Sequence, residues 1–358
     1  MLKTAKIRGI FPHRVAASFA ALALTMGLFS CSGTLNSDSN SNTTNNDNTV
    51  TTSNDSPSGN RPSVVATTSV LCDLTKQLAA QTVDLKCLVD AGQDPHAYQA
   101  TPEDRKAITT ANLILYGGYN FEPGIIKLIK ASSNQAPAVA VHEVAVTKPI
   151  MGEAHKHDEE KHAHEEEHAE EEKTADPHVW HDAENGIRMV EVIRTNLEKV
   201  SPDNVQLYAS NAENITNQLK QLDTWITSQI ATIPANQRQL FTTHDAMNYY
   251  VNAYGLEFEG ALEGLSTEEQ PTAARIGELV KEIKKEGVPT IFAENANNPK
   301  LIERVAQEAN VKVSDRKLYA DGLGEEGSGA ETYQKMLVTN TRTIVEELGG
   351  NYTAFAVE

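Results

Sequence analysis

Three histidines stand in short motifs far apart in the chain: Asp94-Pro95-His96-Ala97-Tyr98, Asp176-Pro177-His178-Val179-Trp180-His181-Asp182 and Thr242-Thr243-His244-Asp245-Ala246. Each is expected where a strand or loop gives way to a helix. In the duplicated Asp-Pro-His, proline fixes the backbone ahead of the imidazole, and the aspartate can cap the turn or orient the ring through a hydrogen bond. A lone histidine in such a place is more often structural than a ligand; three together point to a bound cation. Imidazoles with at most one carboxylate suit four-coordinate zinc, with Zn–N contacts of about 2.0–2.1 Å, whereas an oxygen-dominated shell suits manganese or magnesium. No thiolate occurs in these motifs.

Five more histidines, His155, His157, His162, His164 and His168, fall in an inserted segment, 153–173, whose 21 residues include ten acids and three lysines, a local charge of −7. Nothing there is apolar and larger than alanine, so it cannot build a core and is expected to be a disordered loop. A solvated acidic loop explains the acids but not the histidines. Weak auxiliary metal capture explains both, at the cost of ordering the chain on binding.

The whole chain has 358 residues and a formal net charge of −18, which argues against nucleic-acid binding and favours cationic partners. Residues 1–31 read as an export signal: Lys3, Lys6, Arg8 and Arg14 precede an apolar run, Val15 to Phe29, that is short for a membrane span. The run ends Leu28-Phe29-Ser30-Cys31, which resembles a lipoprotein signal with Cys31 acylated; ordinary cleavage near Ser30 is the alternative. Residues 32–62 are almost wholly polar and form a tether, whose length of some thirty residues corresponds to a reach on the order of 30 Å. Cys72 and Cys87 lie in one predicted β-α-β unit, where a disulfide and two buried thiols are both open.

The elements that must position the histidines follow from hydropathy patterning. A β-branched run from Ser63 to Val70, a helix Asp73–Gln81 and a strand Val83–Val89 open a β-α-β series. It continues with a helix from Pro102, a strand Leu113–Tyr116, a helix Gly124–Ala131 and a strand Ala138–Val141. A second series runs from Leu240-Phe241-Thr242-Thr243 through helix Met247–Tyr254, strand Leu256–Glu259, helix Ala273–Glu286, strand Thr290–Ala293 and helix Pro299–Ala309 to strand Lys312–Val313. Between them a helical pattern over Pro202–Ala231, with Ser201 as its N-cap, predicts a connector of about thirty residues and some 45 Å. The expected fold class is α/β: two lobes with mostly parallel sheets joined by one long helix. The lobes span 63–201 and 233–358, with the connector at 202–232.

Taken in order, these motifs resemble the substrate-binding proteins of metal-ion ABC importers, cluster A-I or cluster 9, on their zinc-uptake side. The likeness spans nearly all of Ser63–Leu348. It includes Thr101-Pro102-Glu103-Asp104 after the first motif, Tyr254-Gly255-Leu256, Phe292-Ala293-Glu294 with Pro299-Lys300, and Tyr319-Ala320-Asp321-Gly322-Leu323-Gly324. The resemblance implies two lobes joined by one long helix, with a metal ion held between them by His96, His178, His244 and Asp321. His244 discriminates, because manganese-type relatives usually carry glutamate there, and the acidic histidine-rich insertion also resembles zinc members.

The implied function is non-enzymatic: a periplasmic, monomeric carrier that captures zinc ion as transported ligand and delivers it to a membrane permease, touching the membrane only through a lipid on Cys31. The alternatives are a manganese-binding homologue and a zinc hydrolase. No His-Glu-x-x-His motif or marked general base supports the latter. Three departures stand out. His181 replaces a commonly apolar residue and is expected at the surface, with a group supporting a ligand from behind, or an alternate ligand, as the other readings. Gly322 replaces the usual serine and is expected to loosen the loop around Asp321, leaving water or a lobe shift as the other way to complete the shell. Glu263 and Glu294 are competing carboxylates, with surface or packing roles as the plainer expectation.

Overall fold

Strands and helices alternate along the chain, and the strands pair almost entirely in parallel. The computed structural model describes residues 61–153, 173–268 and 271–356. The export signal with Cys31, and His155, His157, His162, His164 and His168 of the insertion, lie outside the described residues.

The first lobe contains β1 (Ser63–Ala66), α1 (Ser69–Ala79), β2 (Asp84–Cys87), α2 (Pro102–Thr110), β3 (Leu113–Tyr116), α3 (Pro123–Lys130), β4 (Ala138–Ala140) and the short α4 (Val141–Ala145). Its sheet has the order β2-β1-β3-β4, parallel throughout, with Val64 opposite Leu85 on one side and Leu113 on the other. Central β1 is apolar on both faces because helices cover both: Val64 and Ala66 enter the main core, and Val65 packs in a smaller cluster with Ile108 and Ile125. The first helix begins earlier than its hydropathy suggests. Thr68 caps it by accepting from the Leu71 amide, so the β-branched run stops at Ala66 and Ser69–Val70 become helical. Cys72 on α1 and Cys87 at the end of β2 form a disulfide, with Cα atoms 5.7 Å apart.

An antiparallel pair, β5 (Met151–Glu153) and β6 (Lys173–Ala175), closes the base of the histidine-rich insertion. After it come α5 (Ala183–Val200) and the connector α6 (Val205–Ile230). Proline does not open α6 directly: Pro202–Asn204 form a 3-10 turn, and Ser201 makes no capping bond to the backbone, its hydroxyl instead accepting from Asn204 Nδ2. At 26 residues α6 is about 39 Å long. Tyr208, Ala212, Ile215, Leu219, Leu222, Ile226 and Ile230 form its buried stripe, spaced three or four residues apart, and the helix packs on α1, α5 and the last helix.

The second lobe continues with β7 (Gln239–His244), α7 (Asn248–Tyr254), β8 (Glu257–Glu263), α8 (Ala273–Glu286), β9 (Thr290–Ile291), α9 (Lys300–Ala309), β10 (Lys312–Val313) and α10 (Tyr333–Glu347). The β7–β8 and β9–β10 pairs are parallel, and the Phe292 amide donates to the Phe241 carbonyl at 2.9 Å, tying the two pairs together. Gly255 and Gly287 end α7 and α8 in the left-handed conformation, where a side chain would be strained. His244 is the last residue of β7, at the carboxyl end of a parallel strand, where ligand crevices form in such sheets.

Candidate metal centre

His96 reaches the centre on a loop pinned at both ends. Its own amide donates to Asp94 Oδ1 at 2.9 Å. Two residues on, the Tyr98 hydroxyl donates to Asp104 Oδ2 at 3.0 Å. Asp104 in turn closes the capping box of α2 with Thr101, so the helix start and the histidine loop share one anchor.

His178 is set by Asp176. One carboxylate oxygen, Oδ1, accepts from the His178 amide at 2.9 Å and from its Nδ1 at 2.8 Å, while Oδ2 accepts from Asn248 Nδ2 at 3.1 Å. The chain then makes a 3-10 turn, Val179–His181, before Asp182 caps α5. Proline at 177 is suited to this turn because its fixed φ leaves little for the loop to order.

His244 is set by Glu294, whose Oε1 accepts from the Thr243 and His244 amides at 3.1 and 3.0 Å and whose Oε2 accepts from His244 Nδ1. Asn297 Nδ2 donates to the same Oε2 at 2.7 Å. Glu294 is therefore the orienting group of this ring, a role beyond packing that its position 50 residues away concealed in the sequence. Glu263 is half-buried beside the site, and burial pushes its carboxyl up to about 7. It is not among the converging atoms.

With Nδ1 of His178 and of His244 occupied by carboxylates, the Nε2 atoms of all three rings turn to one point. Nε2 of His178 lies 3.3 Å from that of His96 and 3.4 Å from that of His244. Asp321 Oδ1 completes the group, 3.5, 3.4 and 3.1 Å from Nε2 of His96, His178 and His244. All four ligand atoms lie within 4.8 Å of one another, and all four residues are buried. A tetrahedron with vertices about 2.0–2.1 Å from its centre has edges of roughly 3.3–3.4 Å, close to these five separations. Asp321 Oδ2 is buried with no hydrogen-bond partner among the described residues, which also fits a cation in front of it.

Electrostatics point the same way. Burial alone would lower the pKa of every ring. At His178 this is outweighed by Asp176 and Asp321, so the pKa is raised; at His244 it is outweighed by Asp321 and Glu294, and the pKa stands well above its ordinary value. At His96 burial prevails over Asp321 and the pKa is lowered. Burial would raise Asp321, but His244, His178 and His96 hold it well below the usual carboxylate range. Three buried carboxylates around three imidazoles make a centre that favours a positive occupant.

Aromatic rings wall the site. Phe121 meets His96 edge-on at 5.0 Å between centroids and His178 at 5.6 Å, and Trp180 packs on Phe121 at 4.7 Å. Two further histidines lie behind this wall. His142 is fully buried, and burial pushes its pKa down to about 3. His181 is also fully buried, its pKa pushed down to about 4 by burial, and its Nε2 donates to the Ala320 carbonyl at 2.8 Å. It is not the surface residue the sequence suggests, because its 3-10 turn packs against the loop carrying Asp321. That loop is docked rather than loose: Leu323 donates to Ser69 Oγ at 3.0 Å and accepts from the Gly92 amide at 3.0 Å.

Similarity to known proteins spans most of the described chain. Residues 64–347 match the family model described as zinc-uptake complex component A, periplasmic. The manganese ABC transporter substrate-binding lipoprotein PsaA of Streptococcus mitis is 31% identical over 301 residues, 82% of this chain and 91% of that protein. The manganese-binding lipoprotein MntA of Halalkalibacterium halodurans is 31% identical over 82% of this chain and 90% of its own length. Among solved structures, the periplasmic zinc-binding protein TroA of Treponema pallidum superposes with a TM-score of 0.71 at 29% identity, covering 80% of this chain and 99% of that one.

Proposed function

Because the chain belongs to the periplasmic zinc-uptake component A family, the cluster 9 substrate-binding proteins of metal-ion ABC transporters, we propose that its cargo is zinc, held by His96, His178, His244 and Asp321. The family consists of solute-binding proteins and not enzymes, so the hydrolase alternative is set aside. Delivery of a metal ion to a membrane permease is the task of this class, and no helix among the described residues is long and apolar enough to cross a membrane.

The observation that carries the zinc reading is the donor set: three buried imidazole nitrogens and one carboxylate around one point. Nitrogen-rich, four-fold sites favour zinc, while manganese favours oxygen. Relatives named for manganese make that metal the competitor to be tested. Metal analysis of the purified protein, with zinc and manganese titrations of the wild type and His244→Ala, separates the two. The proposal predicts one zinc per chain in the protein as purified, bound tightly and lost in the variant; manganese in place of zinc in the purified protein would overturn it.

The remaining parts of the proposal concern segments outside the described residues. Cys31 carries a lipid that tethers the monomer to the membrane. The insertion bearing His155, His157, His162, His164 and His168 gathers zinc weakly. Deleting it should leave the tight site and remove the weaker ones.

A further inference from the structure

Asp321 belongs to the second lobe by chain order, yet the backbone on both sides of it is held by residues that precede the long helix. On one side, the Ala320 carbonyl accepts from His181 Nε2 at 2.8 Å. With the carbonyl as acceptor the ring proton sits on Nε2, and Nδ1 is left buried with no partner among the described residues. On the other side, Leu323 donates to Ser69 Oγ at the start of α1 and accepts from the Gly92 amide, two residues before Asp94. Gly322 between them allows this approach, since a Cβ there would stand 2.5 Å from Ser69 Oγ. His181 ends the 3-10 turn that follows His178, so one short segment carries a ligand and the prop for the Ala320 carbonyl 139 residues away.

We infer that His181 is a positioning residue for the fourth ligand: it holds the Ala320 carbonyl, and with Ser69 on the far side it fixes where Asp321 Oδ1 meets the three imidazoles. Both neighbours of Gly322 in the loop are buried, and so is the Ala320 carbonyl, so removing the donor would leave an acceptor unsatisfied beside the site. The loop could recover that bond only by turning, which would carry Asp321 with it. Three imidazoles without a fixed carboxylate would still bind a cation, more weakly and in a more open geometry. The inference rests on the metal-capture reading above and assigns to His181 the fixing of Asp321, the fourth ligand.

The test uses the full chain, with zinc affinity measured by chelator competition and the visible spectrum of the cobalt-loaded protein recorded for wild type, His181→Leu, His181→Gln, Asp321→Ala and the His181→Leu/Asp321→Ala double variant. His181→Leu should bind zinc about tenfold more weakly, with its cobalt spectrum moved toward that of Asp321→Ala. His181→Gln, whose amide reaches nearly as far, should recover most of the loss. In the Asp321→Ala background the leucine substitution should cost nothing further, because it acts only through that carboxylate. Equal losses in both backgrounds, or wild-type affinity in His181→Leu, would overturn the inference. If Asp321→Ala itself bound zinc as tightly as wild type, the four-ligand site would be wrong instead. Should His181→Leu fail to fold in metal-free melts, Ser69→Ala carries the same prediction: several-fold weaker binding that vanishes in the Asp321→Ala background, with additivity overturning it.

Discussion

Glu294→Gln tests how the second carboxylate layer makes His244 a ligand. The side chain keeps its size, but one acceptor oxygen becomes an amide donor. In the native arrangement Glu294 accepts four hydrogen bonds, from the Thr243 and His244 amides, from His244 Nδ1 and from Asn297 Nδ2. Its Oε2 requires the proton of His244 on Nδ1, which leaves the Nε2 lone pair free to coordinate. In the glutamine variant, an NH2 group facing Nδ1 drives the proton to Nε2, the atom that must bind metal. Flipping the amide instead places a donor against two backbone amides. Either arrangement is unfavourable, and loss of such orienting partners costs about 10–100-fold in metal affinity, or roughly 1.4–2.7 kcal/mol. Chelator-competition titration at neutral pH reads this directly, and metal-free melts check that the fold persists. Zinc binding within twofold of wild type, with an intact fold, would refute the claim that Glu294 governs His244.

Zinc affinity should fall as pH is lowered, beginning above the ordinary histidine range, because the elevated pKa of His178 and His244 lets protons compete with the ion there; an affinity flat between pH 8 and pH 6 would contradict this. Metal-free stability carries another contribution of known sign. His142 and His181 have folded pKa values of about 3 and about 4, below the unfolded value, so the unfolded chain binds more protons as pH falls below about 6.5. Each should remove stability at up to about 1.4 kcal/mol per pH unit until its folded pKa is reached, so melts of His142→Phe, compared with wild type at pH 7 and pH 5, should show a smaller drop. Replacing Cys72 and Cys87 by serine should lower unfolding stability by about 2–4 kcal/mol, as expected for closing a loop of this size, measured by denaturant titration.

The polypeptide discloses its chemistry unevenly. Elements with local causes are legible: α8 matches the amphipathic stretch Ala273–Glu286, β3 matches the apolar run Leu113–Tyr116, and β10 falls on the expected strand Lys312–Val313. The four residues brought together at the centre were legible because proline-histidine turns and a resemblance of ordered motifs mark them. Features made by distant partners were not. His181 reads as a surface residue until the loop around Ala320 covers it, and Glu294 reads as packing until β7 ends beside it. The β5–β6 pair is three residues long on each side, too short for alternation to show, and α10 lies beyond the last motif, although its register buries Tyr333, Met336, Leu337 and Ile344. Gly322 reads as a source of mobility, yet its missing side chain is what lets the loop dock.

Four side chains closing around a single ion are an arrangement that anomalous scattering from zinc-loaded crystals, recorded on both sides of the zinc absorption edge, can locate atom by atom. One strong peak is expected, bonded to Nε2 of His96, His178 and His244 and to Asp321 at about 2.0–2.2 Å. A peak elsewhere, or these imidazoles turned away from a site without zinc, would contradict it.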